Sequence, residues 1–263
     1  MKTLILGDIH GSWASADIVY DMIVAQHGEP ELLLQVGDFG FWPRDPRVAI
    51  WDREFNHPCL WIDGNHEDHW VLQRLDEPHW GFDPYHSPPF RSQWDALLQR
   101  WTYLPRGTII DGVLFIGGAK SINKPYLTHG VNWFPEEDLS QAQMHAILDA
   151  IEAYGPENIH TVITHEAAVG FDVREACKLT GGKLYIDSNM RFLREVLHRV
   201  CPDRWFFGHY HMAMSGTDVD TGCEWRCIDM IRGPGSGVDY VLIDLPFTQE
   251  GLSAVLGGTD EEE

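Results

Sequence analysis

Close to the N-terminus, Gly7-Asp8-Ile9-His10-Gly11 places a carboxylate and an imidazole two residues apart. From a tight turn both side chains can reach one metal ion, and the flanking glycines let the backbone bend and approach closely. Two more groups of the same grade follow, Gly37-Asp38 and Asp63-Gly64-Asn65-His66-Glu67. Singly, each has an ordinary explanation. An Asp-containing turn often leads into a helix, and Asn65 is a good helix cap.

Each group follows an apolar run. Residues 3–6 form a short apolar stretch bounded by glycine, which predicts a buried strand. In open α/β sheets ligands bind at the carboxyl edge where such strands end. Helical spacing of Ile18, Val19, Met22 and Ile23 predicts a helix over 12–26, capped by Ser12 or Ser15 and stopped by Gly28-Glu29-Pro30. A second strand is expected over 32–36, a helix over 47–55 and a third strand over 59–62. Strands separated by helices imply βαβ units and a parallel core.

Three strands ending in ligand-grade residues resemble the calcineurin-like metallophosphoesterases, over roughly residues 1–245. The family's other motifs appear in order: a strand over 161–164 ending in His165, and one over 204–207 ending in Gly208-His209-Tyr210-His211. The resemblance implies an α/β fold, a four-layer αββα sandwich with two mixed β-sheets. It implies a hydrolase acting on ester bonds through two divalent metal ions. Carried over residue by residue, Asp8, His10 and His211 are expected on one ion, and Asn65, His165 and His209 on the other, with Asp38 bridging both. Oxygen and imidazole donors without thiolate suit Mn²⁺, with Fe or Zn²⁺ as alternatives. Two ions ~3.5–4 Å apart can hold a bridging hydroxide that attacks phosphorus in line. His66 matches the histidine that reaches the scissile ester in the family, where an imidazole titrating near neutrality can protonate the leaving group.

Departures from the family narrow the substrate. Its protein phosphatases and dinucleoside tetraphosphatases carry an arginine two residues before the Asn of Gly-Asn-His-Glu, a bidentate grip on phosphate. Here that position is Asp63, expected to repel phosphate, and the second motif continues Phe39-Gly40-Phe41-Trp42 rather than Asp-Arg-Gly. The expected activity is therefore a phosphodiesterase on a nucleotide or short nucleic acid. The alternatives are a phosphomonoesterase on a nucleotide or small metabolite, and a non-catalytic metal-binding scaffold. Asn65, His66, Arg44, Lys120 and Lys124 are the candidates for substrate contact.

Between the motifs, 75–89 is rich in Pro, His and aromatics and reads as an ordered loop. A short helix is expected over 94–100, a hairpin over 108–117 turning at Asp111-Gly112, and helices over 139–154 and 190–200, the latter capped by Asn189. Residues 121–137 lack periodicity and hold Tyr126, His129, Trp133 and Phe134, which suggests a wall or lid beside the site. Short strands are expected over 224–230 and 240–245. One domain over 1–250, with an insertion around 120–138, then leaves an acidic, flexible tail over 251–263.

The net charge of −21 argues against an extended duplex nucleic-acid footprint, which needs Lys and Arg stripes, and favours a small phosphoester or nucleotide. Eleven tryptophans point to deep packing or an aromatic-walled cleft. Five scattered cysteines read as reduced thiols in a cytoplasm, and no Cys-x-x-Cys pair offers a zinc knuckle. A first strand at the third residue leaves no room for a signal sequence, and no apolar stretch approaches the ~20 residues of a membrane helix. The sequence does not specify an oligomeric state.

Overall fold

Strand β1 (Lys2–Leu6) is apolar on both faces, as a strand covered on both sides must be. Leu4 and Leu6 pack one way and Ile5 the other. The computed structural model describes residues 1–45, 49–75, 91–179, 184–233 and 237–256. Helix α1 (Trp13–His27) ends at Gly28, whose φ of 74° stops it, and returns the chain to β2 (Leu32–Gln35). Ser12 occupies the N-cap position but makes no side-chain capping bond. Strand β3 (Cys59–Trp61) follows, then α2 (His69–Leu72), α3 (Arg91–Arg100) and β4 (Trp101–Tyr103). Strands β5 (Thr108–Ile110) and β6 (Val113–Ile116) form the expected hairpin, with positive φ at both Asp111 and Gly112.

Helix α4 (Gln141–Tyr154) opens with a reciprocal capping box between Ser140 and Gln143. It leads to β7 (Thr161–Thr164), α5 (Arg174–Leu179), α6 (Ser188–Val200) and β8 (Arg204–Phe207). Strands β9 (Met214–Thr217), β10 (Glu224–Cys227) and β11 (Val241–Asp244) and helix α7 (Gln249–Leu256) complete the order.

The strands form two mixed sheets. In the first, order β11-β1-β2-β3-β4, only β11 is antiparallel to its neighbour. In the second, order β5-β6-β7-β8-β10-β9, the outer strands β5 and β9 are antiparallel. The period-2 alternation of side chains assigns each sheet two faces. Ile5, Leu34, Leu60 and Ile62 of the first sheet meet Val113, Phe115, Ile163 and Phe206 of the second in a shared core. The outer face of the first sheet packs on α1 and α3, and that of the second on α4 and α6. The result is the expected four-layer αββα sandwich.

Several local expectations are corrected. Residues 49–55 form no helix, and 46–48 lie outside the described residues. The chain is instead laid out to insert Trp51, fully buried, between Trp13 and Trp101, with ring centroids at 5.9 and 5.4 Å. Trp51, Trp61, Trp94, Trp101 and Trp205 are all fully buried and serve packing, and no tryptophan is among the described residues lining the cavity over the centre described below. The cap of α6 is Asp187, which accepts from the Met190 amide at 3.0 Å. Asn189 lies inside the helix, and its Oδ1 accepts from the Leu139 amide at 3.0 Å. The tail expected from residue 251 begins as helix α7, with Leu252 fully buried in the core between the sheets. Residues 257–263, and the loop expected at 75–89 beyond Leu75, lie outside the described residues. Among the described residues no helix is long and apolar enough to cross a membrane.

Candidate metal centre

The ligand-grade residues follow the carboxyl ends of β1, β2 and β3 in one sheet and of β7 and β8 in the other. The two edges converge. Backbone amides of Ile9 and His10 donate to the Asp38 carbonyl at 3.0 and 2.8 Å, joining the first two loops. Six non-glycine residues among those described have positive φ, and four of them are His10, Asp38, His209 and His211. Such conformations cost roughly 1–3 kcal/mol each and cluster at functional sites. Close approach also needs the intervening glycines: a Cβ on Gly64 would lie 2.2 Å from Asp38 Oδ1, and one on Gly208 2.2 Å from Asp8 Oδ1.

Two groups of donors result. One atom each from Asp8, His10, Asp38 and His211 lies within 4.8 Å of the others, and so does one each from Asp38, His165 and His209. Asp38 belongs to both. Asn65 Oδ1 stands 3.3 Å from His165 Nε2 and so faces the second group. His165 Nδ1 lies 2.8 Å from the Val36 carbonyl, which can only accept. Nδ1 therefore carries a proton, and Nε2 is the nitrogen left to turn a lone pair to a metal ion once its own proton is displaced.

These residues fit a pair of cations. Asp8 Oδ2 and Asp38 Oδ2 are buried and face only imidazole nitrogens, His211 Nε2 at 3.0 Å and His165 Nε2 at 3.5 Å, an arrangement that calls for positive charge between them. Burial alone would raise Asp38, yet the imidazoles of His165 and His10 hold it well below the ordinary carboxylate value. Burial would lower His165, but the Asp38 and Asp8 carboxylates and the Val36 carbonyl together outweigh it and push it up to about 10. Burial and the neighbouring His165 take His209 down to about 3. In metal-free protein a proton on His165 supplies part of the missing charge, and a metal ion would displace it.

A cavity of about 300 Å³ opens over the centre, with Asp38, Asn65, His66, His209 and His211 on its floor. Its walls come from Lys120, Ile122 and Asn123 on one side and Ala176, Leu184, Tyr185, Asp187 and Met190 on the other. His66 is fixed by its amide, which donates to Asp38 Oδ1 at 2.7 Å, and its ring lies 5.5 Å from that of His10.

Of the basic candidates, only Lys120 lines this cavity. Arg44 is committed to a bidentate pair with Asp68, at 2.5 and 2.7 Å, and stacks near Trp70 and Phe134. Lys124 lies over the Trp133 ring at 3.8 Å. His129 is exposed beside Trp133 and does not line the cavity. Asp63 does not face phosphate: it is fully buried, paired with Arg106 Nη2 at 2.6 Å and bonded by Tyr103 at 2.9 Å. The sequence reading missed the wall residues Ala176, Cys177, Leu184, Tyr185, Asp187 and Met190, which stand in no recognisable motif. It also missed Glu67, fully buried, which accepts from the Gly40 and Gly64 amides at 3.2 and 3.0 Å and ties two motif loops together.

A family model described as calcineurin-like phosphoesterase matches residues 1–213. No curated protein sequence matches the chain. Among solved structures, phosphopantetheinyl hydrolase from Mycobacterium tuberculosis is similar at 15% identity and a TM-score of 0.49, over 94% of this chain and 97% of that one. A protein from Thermus thermophilus is similar at 10% identity and a TM-score of 0.47, over 88% and 89% of the two chains. A metallophosphoesterase from Sphaerobacter thermophilus aligns at 15% identity and a TM-score of 0.38, over 93% and 84%.

Proposed function

The chain belongs to the calcineurin-like phosphoesterase family, and on that premise we propose that it is a dinuclear phosphodiesterase acting on a nucleotide or short nucleic acid. In this reading Asp8, His10 and His211 hold one divalent ion, Asn65, His165 and His209 hold the other, and Asp38 is shared. When bound, the ions supply Lewis-acid stabilisation of the phosphoryl oxygens and lower the pKa of water. The oxygen and imidazole donors of both groups, with no sulfur among them, are compatible with Mn²⁺, Fe or Zn²⁺, and Mn²⁺ is the ion we put first. In this reading His66 protonates the leaving oxygen, which is supported by its place in the cavity lining and by the backbone hydrogen bond that ties it to Asp38. Ile122 on one wall and Leu184, Tyr185 and Met190 on the other give a base or similar group apolar surface to lie against. Free rather than paired cysteines, four of the five buried, fit a cytoplasmic setting.

The observation that carries the diester preference is the charge of the cavity wall. Lys120 is the one Lys or Arg among its described lining residues, and Glu166 and Asp187 also line it. A monoester dianion calls for further cationic donors beyond the ions, whereas a diester carries one negative charge. The test is metal-reconstituted protein assayed on p-nitrophenyl phosphate and bis-p-nitrophenyl phosphate, then on cyclic, dinucleoside and short RNA substrates. The expected result is a higher kcat/KM on diesters throughout. A consistent preference for monoesters overturns this reading in favour of a phosphatase.

A further inference from the structure

Asn65 serves an ion only if its amide oxygen, and not its NH2 group, faces the second donor group. Nothing in the side chain's shape sets that choice, because the two ends of an amide are nearly isosteric. The surroundings must set it. Asn65 is 2% exposed, so its NH2 group needs an internal acceptor. That acceptor is Ser121, whose Oγ lies 3.0 Å from Asn65 Nδ2.

A hydroxyl can donate or accept, so Ser121 alone would tolerate either amide orientation. Glu137 removes the ambiguity. Its carboxylate accepts from Ser121 Oγ at 2.7 Å and from the Ser121 amide at 2.8 Å. With the hydroxyl proton committed to Glu137, Oγ can only accept from Asn65. The amide oxygen then points to the other side, 3.3 Å from His165 Nε2. Glu137 is itself held in register. Arg106 Nη2 donates to the Glu136 and Glu137 carbonyls at 3.0 and 3.1 Å while the same guanidinium grips Asp63 at the end of β3.

We propose that Ser121 and Glu137 are positioning residues that fix the amide orientation of Asn65, so that the base of the 121–137 insertion is part of the metal centre. The inference rests on reading Asn65 as a ligand of the second ion. It adds a second duty to the wall or lid expected of this insertion. It also couples wall to floor, since Lys120, Ile122 and Asn123 flank Ser121 in the chain and line the cavity.

The test is calorimetric titration of Mn²⁺ into metal-depleted protein. Ser121→Ala removes the acceptor. Glu137→Gln keeps the shape but offers an NH2 group to Ser121 Oγ, which frees the hydroxyl to donate to Asn65 Oδ1 and inverts the relay. Ser121→Thr retains the hydroxyl. Parent and Ser121→Thr are expected to bind two equivalents. Ser121→Ala and Glu137→Gln are expected to keep the first equivalent at parental affinity and weaken the second by roughly 10–100-fold, the usual effect of losing a partner that orients a ligand. Parental affinity for the second ion in both variants overturns the proposal. Loss of both equivalents together, or of the folded circular dichroism spectrum, also overturns it and assigns the pair to the scaffold. A parent that binds one ion overturns instead the dinuclear reading beneath it.

Discussion

Asp38 is the carboxylate that both donor groups share, with Oδ1 taken by the His66 amide and Oδ2 facing His165 Nε2 at 3.5 Å and His10 Nε2 at 3.6 Å. A shared carboxylate also screens the repulsion between two cations. Asp38→Asn should therefore bind less than one equivalent of metal where the parent binds two, as elemental analysis would read. Two equivalents in the variant would remove Asp38 from the bridging position. At His66 the leaving group is the discriminator. General-acid help is typically worth ~10²–10⁴-fold for a poor leaving group and little for p-nitrophenolate. His66→Asn should keep two ions yet lose far more activity on a nucleotide diester than on bis-p-nitrophenyl phosphate. Equal losses on both substrates would assign His66 to positioning. A third test concerns His69, which burial lowers from 6.5 to about 4 in the folded protein. Between those values the unfolded chain binds a proton that the folded protein does not. Stability from this group is thus present above pH 6.5 and is lost as pH falls towards 4. At ~1.4 kcal/mol per pH unit, the loss is roughly 3 kcal/mol. Urea unfolding of the parent and His69→Phe should give a stability difference that changes by about that amount across the window. A difference independent of pH would show that His69 does not titrate as argued.

At the scale of elements, the insertion has a fixed base and an exposed span. Ile122, Asn123, Lys124, Pro125 and Tyr126 are all exposed, while Ser121 and Glu137 at its ends are buried. Asn189 in α6 ties its far end through the Leu139 amide and Asp138. Replacing residues 122–133 by a short Gly/Ser linker, with Ser121 and Glu137 kept, should leave both ions bound and small chromogenic diesters cleaved. Selectivity among nucleotide diesters should change, read as a shift in the ratio of kcat/KM values. Loss of metal in that variant would mean that the span itself, beyond its base, holds the centre. The opposing wall has a comparable origin. Asp187 caps α6 and also lines the cavity, so the start of one helix carries both a structural and a site duty.

For the whole molecule, the centre depends on two sheets meeting at one edge, and that meeting depends on the core between them. Helix α7 adds Leu252 to this core, in the same cluster as Phe115, Phe247 and Leu245. Leu252→Ala should destabilise by about 2–5 kcal/mol, the usual range for a fully buried leucine. In urea unfolding the midpoint should fall with the slope unchanged. A change below about 0.5 kcal/mol would return α7 to the frayed tail expected from its sequence.

What the sequence determined by itself was the order of apolar runs and the ligand-grade residues that end them. Both are local properties: strand patterning spans a few residues, and Asp8, Asp38, Asn65, His165 and His209 each follow such a run within a few positions. From these alone a parallel βαβ core was legible, while the sandwich and the expected donor set came from the resemblance that the ordered motifs carry. Tertiary structure alone decided which charges meet. Asp63, read as facing phosphate, is neutralised by Arg106, and Arg44, read as a phosphate contact, is spent on Asp68. Ser121 and Glu137 carried no signal because their roles arise only where distant loops pack against Asn65. Charge pairing and amide orientation are set by whichever groups burial brings within hydrogen-bond reach, and no spacing along the chain encodes that.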